Sequence, residues 1–218
     1  MSKRISMTVY THDEILKHGN PQAIEIMREY LRERSVAHNW NDDIISDWNE
    51  KLNSIGFINA DIVFTGFCQQ GDGASFTSDV DLVKLAKFLS GEDVNKELFD
   101  KLKINNEHLL ILLKNSDFVI DNYSAKVQRI STDYVHENTC RFKIDDYDSK
   151  NQSIDYLKAM GEQVREKLCQ MIYNDLTIEY DYLTSDEHIA QYSTDNDCYF
   201  KRNGETVKVF KQRNVYYT

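Results

Sequence analysis

The sequence has little of the residues that interrupt secondary structure: one proline and eight glycines among 218 residues. Linkers and low-complexity tracts are rich in such residues, and no segment of roughly 20–50 residues repeats along the chain. A repeat array and a long flexible linker are therefore excluded. We predict a single domain over residues 1–218.

Long apolar segments are also missing. No run approaches the roughly 18 apolar residues that a membrane-spanning helix needs. The opening residues, Met1-Ser-Lys-Arg-Ile5, lack the apolar stretch of a secretory signal. With 41% hydrophobic and 28% charged residues, the composition predicts a globular protein of the cytoplasm without a membrane partner.

Cysteine is sparse, with four residues at positions 68, 140, 169 and 198. None forms a Cys-x-x-Cys pair, so nothing in their spacing indicates a zinc site. We expect no metal and no cofactor. In a reducing compartment these cysteines are interpreted as small, buried apolar residues.

Basic residues are the minority charge, at 26 Lys and Arg against 36 Asp and Glu. Residues 201–218 hold five basic residues and only Glu205 as an acid, so the other 200 residues carry a net charge of −14. Such a surface repels free nucleic acid and attracts basic partners. Direct binding of nucleic acid is therefore not expected.

Strand and helix patterns are mixed without the regular repeat of a parallel sheet. Alternating apolar residues indicate strands at 5–9, 58–67 and 117–146, and helical spacing indicates helices at 80–89, 93–115 and 152–180. Asn20 before Pro21 is typical of a helix start, and Gly91 of a helix end. The prediction is an α+β fold: a largely antiparallel β-sheet, helices packed on a face, and a long amphipathic helix near 152–180.

Two further patterns lie near the C-terminus. Residues 184–187 (Thr-Ser-Asp-Glu) match a capping box with Thr184 as the cap of a short helix. Asn203-Gly204 stands between alternating apolar residues and predicts a C-terminal β-hairpin with a two-residue turn. That turn would pair Phe200 with Val207.

Three of the glycines fall within residues 66–76 (Gly-Phe-Cys-Gln-Gln-Gly-Asp-Gly-Ala-Ser-Phe). Glycine suits a positive φ or a close approach to the backbone, and successive amides in such a turn can bind an anion. The lysine of a phosphate-binding loop is missing, which excludes that motif. Two interpretations stay open: a tight turn closed on local amides, or a contact with a ligand or partner. The contact would use Gln69, Gln70, Gly71, Asp72, Gly73 and Ser75.

Tyr134-Val-His136 is the second candidate. Alternation puts Tyr134 and His136 on the same side of a strand, where they could bind a phosphate or a base edge, or pack on each other. His136 could form an acid–base pair with Asp72 if the fold brings them together. No complete catalytic set is visible, so the sequence does not predict an enzyme.

These elements resemble a family of phage and prophage proteins of unassigned biochemistry, some of them labelled as antitoxins. The resemblance spans nearly the whole chain, and the Gln-Gly-Asp-Gly-Ala element at 70–74 is its most specific part. The chain departs from the family at Cys68-Gln69, where relatives often carry a serine pair, and in a helical insert at 91–115. The shared features are an opening strand with Thr8 and Tyr10, the 66–76 element, Tyr134 with His136, a closing region at 172–187, and a turn at Asn203-Gly204.

The resemblance implies an accessory protein of a phage that acts by binding in the host cytoplasm. The first hypothesis is inhibition of a host protein with a basic surface, such as a nucleic-acid-binding defence protein or a toxin, by the acidic face. The alternative is a nucleotide or small-molecule binder, or a phosphoesterase-like enzyme, that uses Gln70–Gly73 with Tyr134 and His136. The sequence leaves the oligomeric state open.

Overall fold

The computed structural model describes residues 8–37, 39–91, 95–103, 107, 123–131, 134–145 and 152–207. Within these ranges the chain forms seven α-helices and six strands, and the predicted α+β class is confirmed. The helices are α1 (His12–His18), α2 (Pro21–Ser35), α3 (Asp42–Ser54), α4 (Leu82–Ser90), α5 (Lys96–Leu102), α6 (Gln152–Leu183) and α7 (Asp186–Asp195). The strands are β1 (Phe57–Phe64), β2 (Ala74–Val80), β3 (Ser124–Arg129), β4 (Cys140–Asp145), β5 (Tyr199–Phe200) and β6 (Thr206–Val207).

Several predictions concern residues outside the ranges given above. Most of the strand predicted at 5–9, the apolar pair Phe118 and Ile120, and most of the helical region beyond 103 lie outside the described residues. In the described part of the chain no helix is long and apolar enough to cross a bilayer.

The chain divides into two compact units, one formed by residues 1–40 and 178–218 and the other by residues 41–177. The single domain over residues 1–218 stays a prediction.

The larger unit is built on a four-stranded antiparallel sheet in the order β1-β2-β3-β4. The strands β3 and β4 follow the period-two pattern that the sequence shows, whereas Ala74–Phe76 of β2 are buried on both faces and β1 is interrupted. The pairing of β1 with β2 shifts register between Ile58 and Asp61, and Asn59 there has a φ of 54°. The extra residue forms a β-bulge, which bends β1 and interrupts the alternation of its side chains between the two faces of the sheet.

Large aromatic side chains form the core of this unit. Phe57, Phe76 and Phe142 are fully buried and meet edge to face, with ring centres 5.5 and 6.4 Å apart. The helix α6 runs close to this cluster at Gly161, where a Cβ atom would stand 2.5 Å from the ring of Phe142. Glycine is therefore required at this point of the helix.

The smaller unit packs α1, α2 and α7 against the β5–β6 hairpin. Its core consists of Ile15, Met27, Leu31, Ile189 and Phe200, all at most 1% exposed. As predicted, Asn20 caps α2: its side chain accepts a hydrogen bond from the amide of Ala23 at 2.8 Å, and Pro21 occupies the first turn.

Two local predictions near the C-terminus are wrong by one residue. Ser185, not Thr184, caps α7, because its hydroxyl accepts from the amide of His188 while Thr184 donates to a carbonyl of α6. The predicted hairpin is present, but Phe200 pairs with Thr206 rather than with Val207.

The hairpin register follows from a three-residue turn. The amide of Gly204 donates to the carbonyl of Lys201 at 2.9 Å, and the φ of Gly204 is 87°. A glycine in this conformation after a type I turn is the usual closure of a three-residue hairpin loop. Lys201 then faces Glu205, with 2.6 Å between Nζ and the carboxylate.

Candidate functional site

The predicted glycine-rich element forms a loop between β1 and β2, here called the Gly66–Gly73 loop. Its base is closed by a hydrogen bond of 3.0 Å from the amide of Thr65 to the carbonyl of Gly73. The strands on either side are paired up to Phe64 and Ala74. The sheet therefore fixes both ends of the loop.

Asp72 closes the loop from inside. One carboxylate oxygen of Asp72 accepts hydrogen bonds from the amide of Cys68 at 3.0 Å and from that of Gln69 at 2.7 Å. The amide of Asp72 in turn donates to the carbonyl of Gln69 at 3.1 Å. The predicted nest of amides is present, and the anion bound in it is the carboxylate of Asp72 from the same loop.

The long helix α6 holds one side of the loop. The hydroxyl of Tyr173 donates to the carbonyl of Gly66 at 2.9 Å, and its ring stacks on Phe67 with centres 5.6 Å apart and planes 17° apart. Burial, followed by the nearby Asp72 and Cys68, raises the pKa of the Tyr173 phenol. The hydroxyl therefore remains a donor at neutral pH.

Residues 134–136, here called the Tyr134–His136 segment, hold the other side of the loop. The hydroxyl of Thr65 donates to the carbonyl of Val135 at 3.3 Å. The ring of Tyr134 lies against Gly71, and the Cα and Cβ atoms of His136 lie against Gly73. The fold thus brings together the two groups of residues that the sequence singled out separately.

The glycines of the loop are explained by these contacts. Gly71 has a φ of 98°, and a Cβ atom on it would stand 3.2 Å from the ring of Tyr134. A Cβ atom on Gly73 would stand 2.6 Å from the Cβ atom of His136, closer than atoms pack. One on Gly66 would stand 2.8 Å from the Asp72 carboxylate. Close internal packing therefore accounts for all three glycines without a ligand.

The predicted site residues differ in their exposure. Gln69 and Gln70 are exposed at the tip, together with Cys68, and Tyr134 is 60% exposed. Ser75 belongs to β2 and is only 1% exposed, so its hydroxyl is buried and does not lie at the loop surface. His136 is half-buried, and its Nδ1 accepts from the amide of Asn138 at 3.1 Å, which caps the 3₁₀ turn Glu137–Thr139.

Sequence reasoning missed a buried pair of thiols, here called the sulfur pair. Cys140 at the start of β4 and Cys169 in α6 are 2% and 1% exposed, and their sulfur atoms are 3.8 Å apart. The two cysteines are 29 residues apart in the sequence and match no motif, so only the packing of β4 on α6 shows that they are close together. Of the other cysteines, Cys68 is exposed and Cys198 is half-buried.

A buried arginine accompanies the sulfur pair. Arg165 is 2% exposed, and its Nη1 lies 3.3 Å from the sulfur of Cys140 while also donating to the carbonyl of Glu137. Its Nε and Nη2 bind both carboxylate oxygens of Glu162 at 3.1 and 3.0 Å. One of those oxygens also accepts from the amide of Phe142 at 2.7 Å, which ties β4 to α6.

A cavity of about 620 Å³ lies elsewhere in the larger unit, between α3, α5 and α6. Two of the lysines that line it have partners: Lys101 binds Glu97 at 2.7 Å, and Lys167 donates to the carbonyl of Leu102. None of the predicted site residues is among the described residues that line it. Among the described residues, no group of His, Cys, Asp and Glu is arranged to hold a metal ion.

Comparison with known proteins gives a family but no function. The family model described as Domain of unknown function (DUF8835) matches residues 40–186, about two thirds of the chain. Searches of curated proteins and of solved structures gave no match. The matched span contains the Gly66–Gly73 loop, the Tyr134–His136 segment and the sulfur pair. The chain therefore belongs to the DUF8835 family.

Proposed function

We propose that this protein acts by binding and inhibiting a partner protein, and that the Gly66–Gly73 loop with the ring of Tyr134 is the contact surface. The observation that carries this proposal is the combination of rigidity and exposure. The loop is held by the sheet, by Tyr173 and by the Tyr134–His136 segment. Its tip nevertheless exposes Gln69 and Gln70 beside an aromatic ring.

A fixed, exposed surface of this kind suits recognition of a protein. A preorganised loop loses little conformational entropy on binding, and tyrosine is enriched among the residues that contribute most to protein interfaces. Glutamine side chains around the ring can form the polar rim. The side chains to test are therefore Gln70 and Tyr134.

The charge of the chain supports a basic partner. The net charge is −10, and an acidic surface steers a basic protein into contact at a rate that falls with salt. The resemblance to phage and prophage proteins would make that partner a host protein, either a nucleic-acid-binding defence protein or a toxin, in the cytoplasm. The protein would then inhibit it by covering its basic surface.

The nucleotide-binding alternative has weaker support at this loop. A phosphate would have to displace the Asp72 carboxylate from the amides of Cys68 and Gln69, and would meet its negative charge there. This alternative predicts a thermal shift with a nucleotide that is lost in Asp72→Ala and in His136→Ala.

Site-specific photocrosslinking tests the main proposal. Benzoylphenylalanine replaces Tyr134 in one variant and Tyr182 in a matched control, because both tyrosines are 60% exposed. After irradiation in bacterial host cells, we expect a discrete crosslinked protein from position 134 and not from position 182. The captured protein is then purified, and its affinity for the full chain is measured by calorimetry at several salt concentrations.

Affinity measurements with variants decide the outcome. Tyr134→Ala should weaken binding by at least about tenfold, as expected for a central interface residue, while Tyr182→Ala should leave it unchanged. Binding should also weaken steeply as salt rises. Equal crosslinking from both positions, or affinity that is indifferent to Tyr134→Ala, would contradict the proposal.

A further inference from the structure

The two sulfur atoms of the sulfur pair are in contact but not bonded. Its sulfur atoms are 3.8 Å apart, and a disulfide bond is about 2.05 Å long, so the side chains need to approach by roughly 1.8 Å. Cys140 is the first residue of β4, and Cys169 lies in the middle of α6. The approach therefore joins two elements that already pack together.

A fixed positive charge stands beside both thiols. Nη1 of Arg165 is 3.3 Å from the sulfur of Cys140 and 3.9 Å from that of Cys169. A guanidinium group stays protonated in proteins, and here it is buried and oriented by Glu162. The thiolate form, which is the reactive form of cysteine, is stabilised by such a charge.

The pKa values of the two thiols shift in opposite directions. The hydrogen bond from the Cys169 thiol, and next the charge of Arg165, lower the pKa of Cys140 from 9.0 to about 6 in spite of burial. The same hydrogen bond, together with burial, raises the pKa of Cys169. Since Nη1 of Arg165 also lies nearer to the sulfur of Cys140 than to that of Cys169, Cys140 is the thiol that more readily forms the thiolate and acts as the nucleophile.

We propose that Cys140 and Cys169 are a redox modification site, at which a small peroxide converts the two thiols reversibly into a disulfide. The thiolate of Cys140 attacks one oxygen of hydrogen peroxide, so that a sulfenic acid forms and hydroxide leaves. The thiol of Cys169 then attacks that sulfur, an S–S bond forms, and water leaves. The hydroxide takes up the proton that Cys140 gave up on forming its thiolate, so that overall two thiols are oxidised to a disulfide and one peroxide is reduced to two waters.

The burial of Cys140 and Cys169 limits the size of the oxidant that can react with them. Because both residues are at most 2% exposed, a bulky disulfide such as oxidised glutathione cannot reach them in the folded protein, whereas hydrogen peroxide is close to water in size. The neighbouring thiol also protects Cys140, since a sulfenic acid that is captured as a disulfide does not advance to sulfinic acid.

The test uses full-length protein in which the other two cysteines are removed by Cys68→Ser and Cys198→Ser. The folded protein is treated with hydrogen peroxide at neutral pH, then unfolded, alkylated and analysed by mass spectrometry. We expect the loss of two hydrogen atoms, a crosslinked peptide that contains Cys140 and Cys169, and full reversal by dithiothreitol. The reaction should become faster as the pH rises through about 6, because Cys140 loses its proton there. Of the described ionisable groups, Cys169 and Arg165 contact the sulfur of Cys140, and Glu162 binds Arg165.

Single variants in the same background separate the two thiols. With Cys169→Ser, peroxide should leave a sulfenic acid on Cys140 that dimedone traps. With Cys140→Ser, no adduct should form on Cys169. The proposal fails if both thiols of the parent protein are still alkylated after peroxide treatment. It also fails if they are oxidised only to sulfinic or sulfonic acids.

Discussion

The hydroxyl of Tyr173 donates a hydrogen bond of 2.9 Å to the carbonyl oxygen of Gly66, 107 residues earlier in the chain. The ring of the same tyrosine stacks on Phe67. The helix α6 therefore fixes the first residues of the loop by a polar and an apolar contact, while the carboxylate of Asp72 binds the amides of Cys68 and Gln69. The loop has its shape before any partner arrives.

Removal of the Tyr173 hydroxyl should loosen the loop. Tyr173→Phe keeps the stacked ring and loses one hydrogen bond, which lowers the free energy of unfolding by about 1 kcal/mol. Hydrogen exchange at the amides of Cys68 and Gln69 should accelerate as well. Tyr182→Phe is the control, with an expected change below about 0.5 kcal/mol. Equal exchange in both variants would mean that this contact does not order the loop.

Gly73→Ala tests the close approach of the Tyr134–His136 segment. The new Cβ atom would stand 2.6 Å from the Cβ atom and 2.8 Å from the Cα atom of His136, so the backbone has to move. We expect destabilisation by about 1–3 kcal/mol in urea denaturation. The exposed Gln70→Ala in the same loop should stay within about 0.5 kcal/mol. A neutral Gly73→Ala would show that the two segments are further apart than in this structure.

The cap of α7 can be tested with two neighbouring substitutions. Ser185→Ala removes the hydroxyl that accepts from the amide of His188 and should cost about 1 kcal/mol of stability. Thr184→Ala removes a hydroxyl that bonds within α6, to the carbonyl of Tyr180, and should cost less. Thermal unfolding of both variants measures the difference. A larger loss of stability in Thr184→Ala than in Ser185→Ala would indicate that Thr184 is the cap.

Arg165→Met should be strongly destabilising. The substitution removes the partner of the half-buried Glu162 and the donor to the carbonyl of Glu137, and loss of hydrogen bonds to a charged group of this kind costs about 1.5–3 kcal/mol. Arg141→Met, on an exposed side chain of β4, is the control and should be nearly neutral. Urea unfolding curves of the two variants would contradict this expectation if their midpoints were equal.

The sulfur pair should make stability depend on pH. The pKa of Cys140 is about 6 in the folded protein and 9.0 ordinarily, so between these values the unfolded chain binds more protons, and stability rises with pH. Above that window the raised pKa of Cys169 reverses the sign, because the folded protein then retains a proton that the unfolded chain loses.

The measurement is the free energy of unfolding at a series of pH values under reducing conditions. The contribution of Cys140 is the difference in this free energy between the native chain and Cys140→Ser. That difference should grow from pH 6 towards pH 8.5. A flat difference would show that Cys140 does not ionise ahead of an ordinary thiol.

Much of the fold could be predicted, because its signals are local. Three correct predictions depend only on residues close in sequence. They are the start of α2 at Asn20 and Pro21, the end of α4 at Gly91, which has a φ of 79°, and the helix α6 from its apolar spacing. The errors at Thr184 and in the hairpin register have local causes too. Two adjacent hydroxyl residues can both cap a helix, and an Asn-Gly pair fits turns of two or three residues.

The site was harder to predict, because its contacts join distant segments. The sequence identified the Gly66–Gly73 loop and the Tyr134–His136 segment, but not that Gly73 packs on His136. It offered a turn closed on its own amides as one interpretation of Asp72, and that contact is present. The sulfur pair and Arg165 could not be found, because their proximity arises only when β4 lies on α6.

The 3₁₀ turn Glu137–Thr139 belongs to both of the regions described above. On one side it follows His136, which packs on Gly73 of the loop; on the other it precedes Cys140, and Arg165 binds its first carbonyl. Formation of the disulfide would remove the thiolate that shares Arg165 with this carbonyl. Three residues of backbone would then connect a chemical event in the interior with the shape of the proposed contact surface.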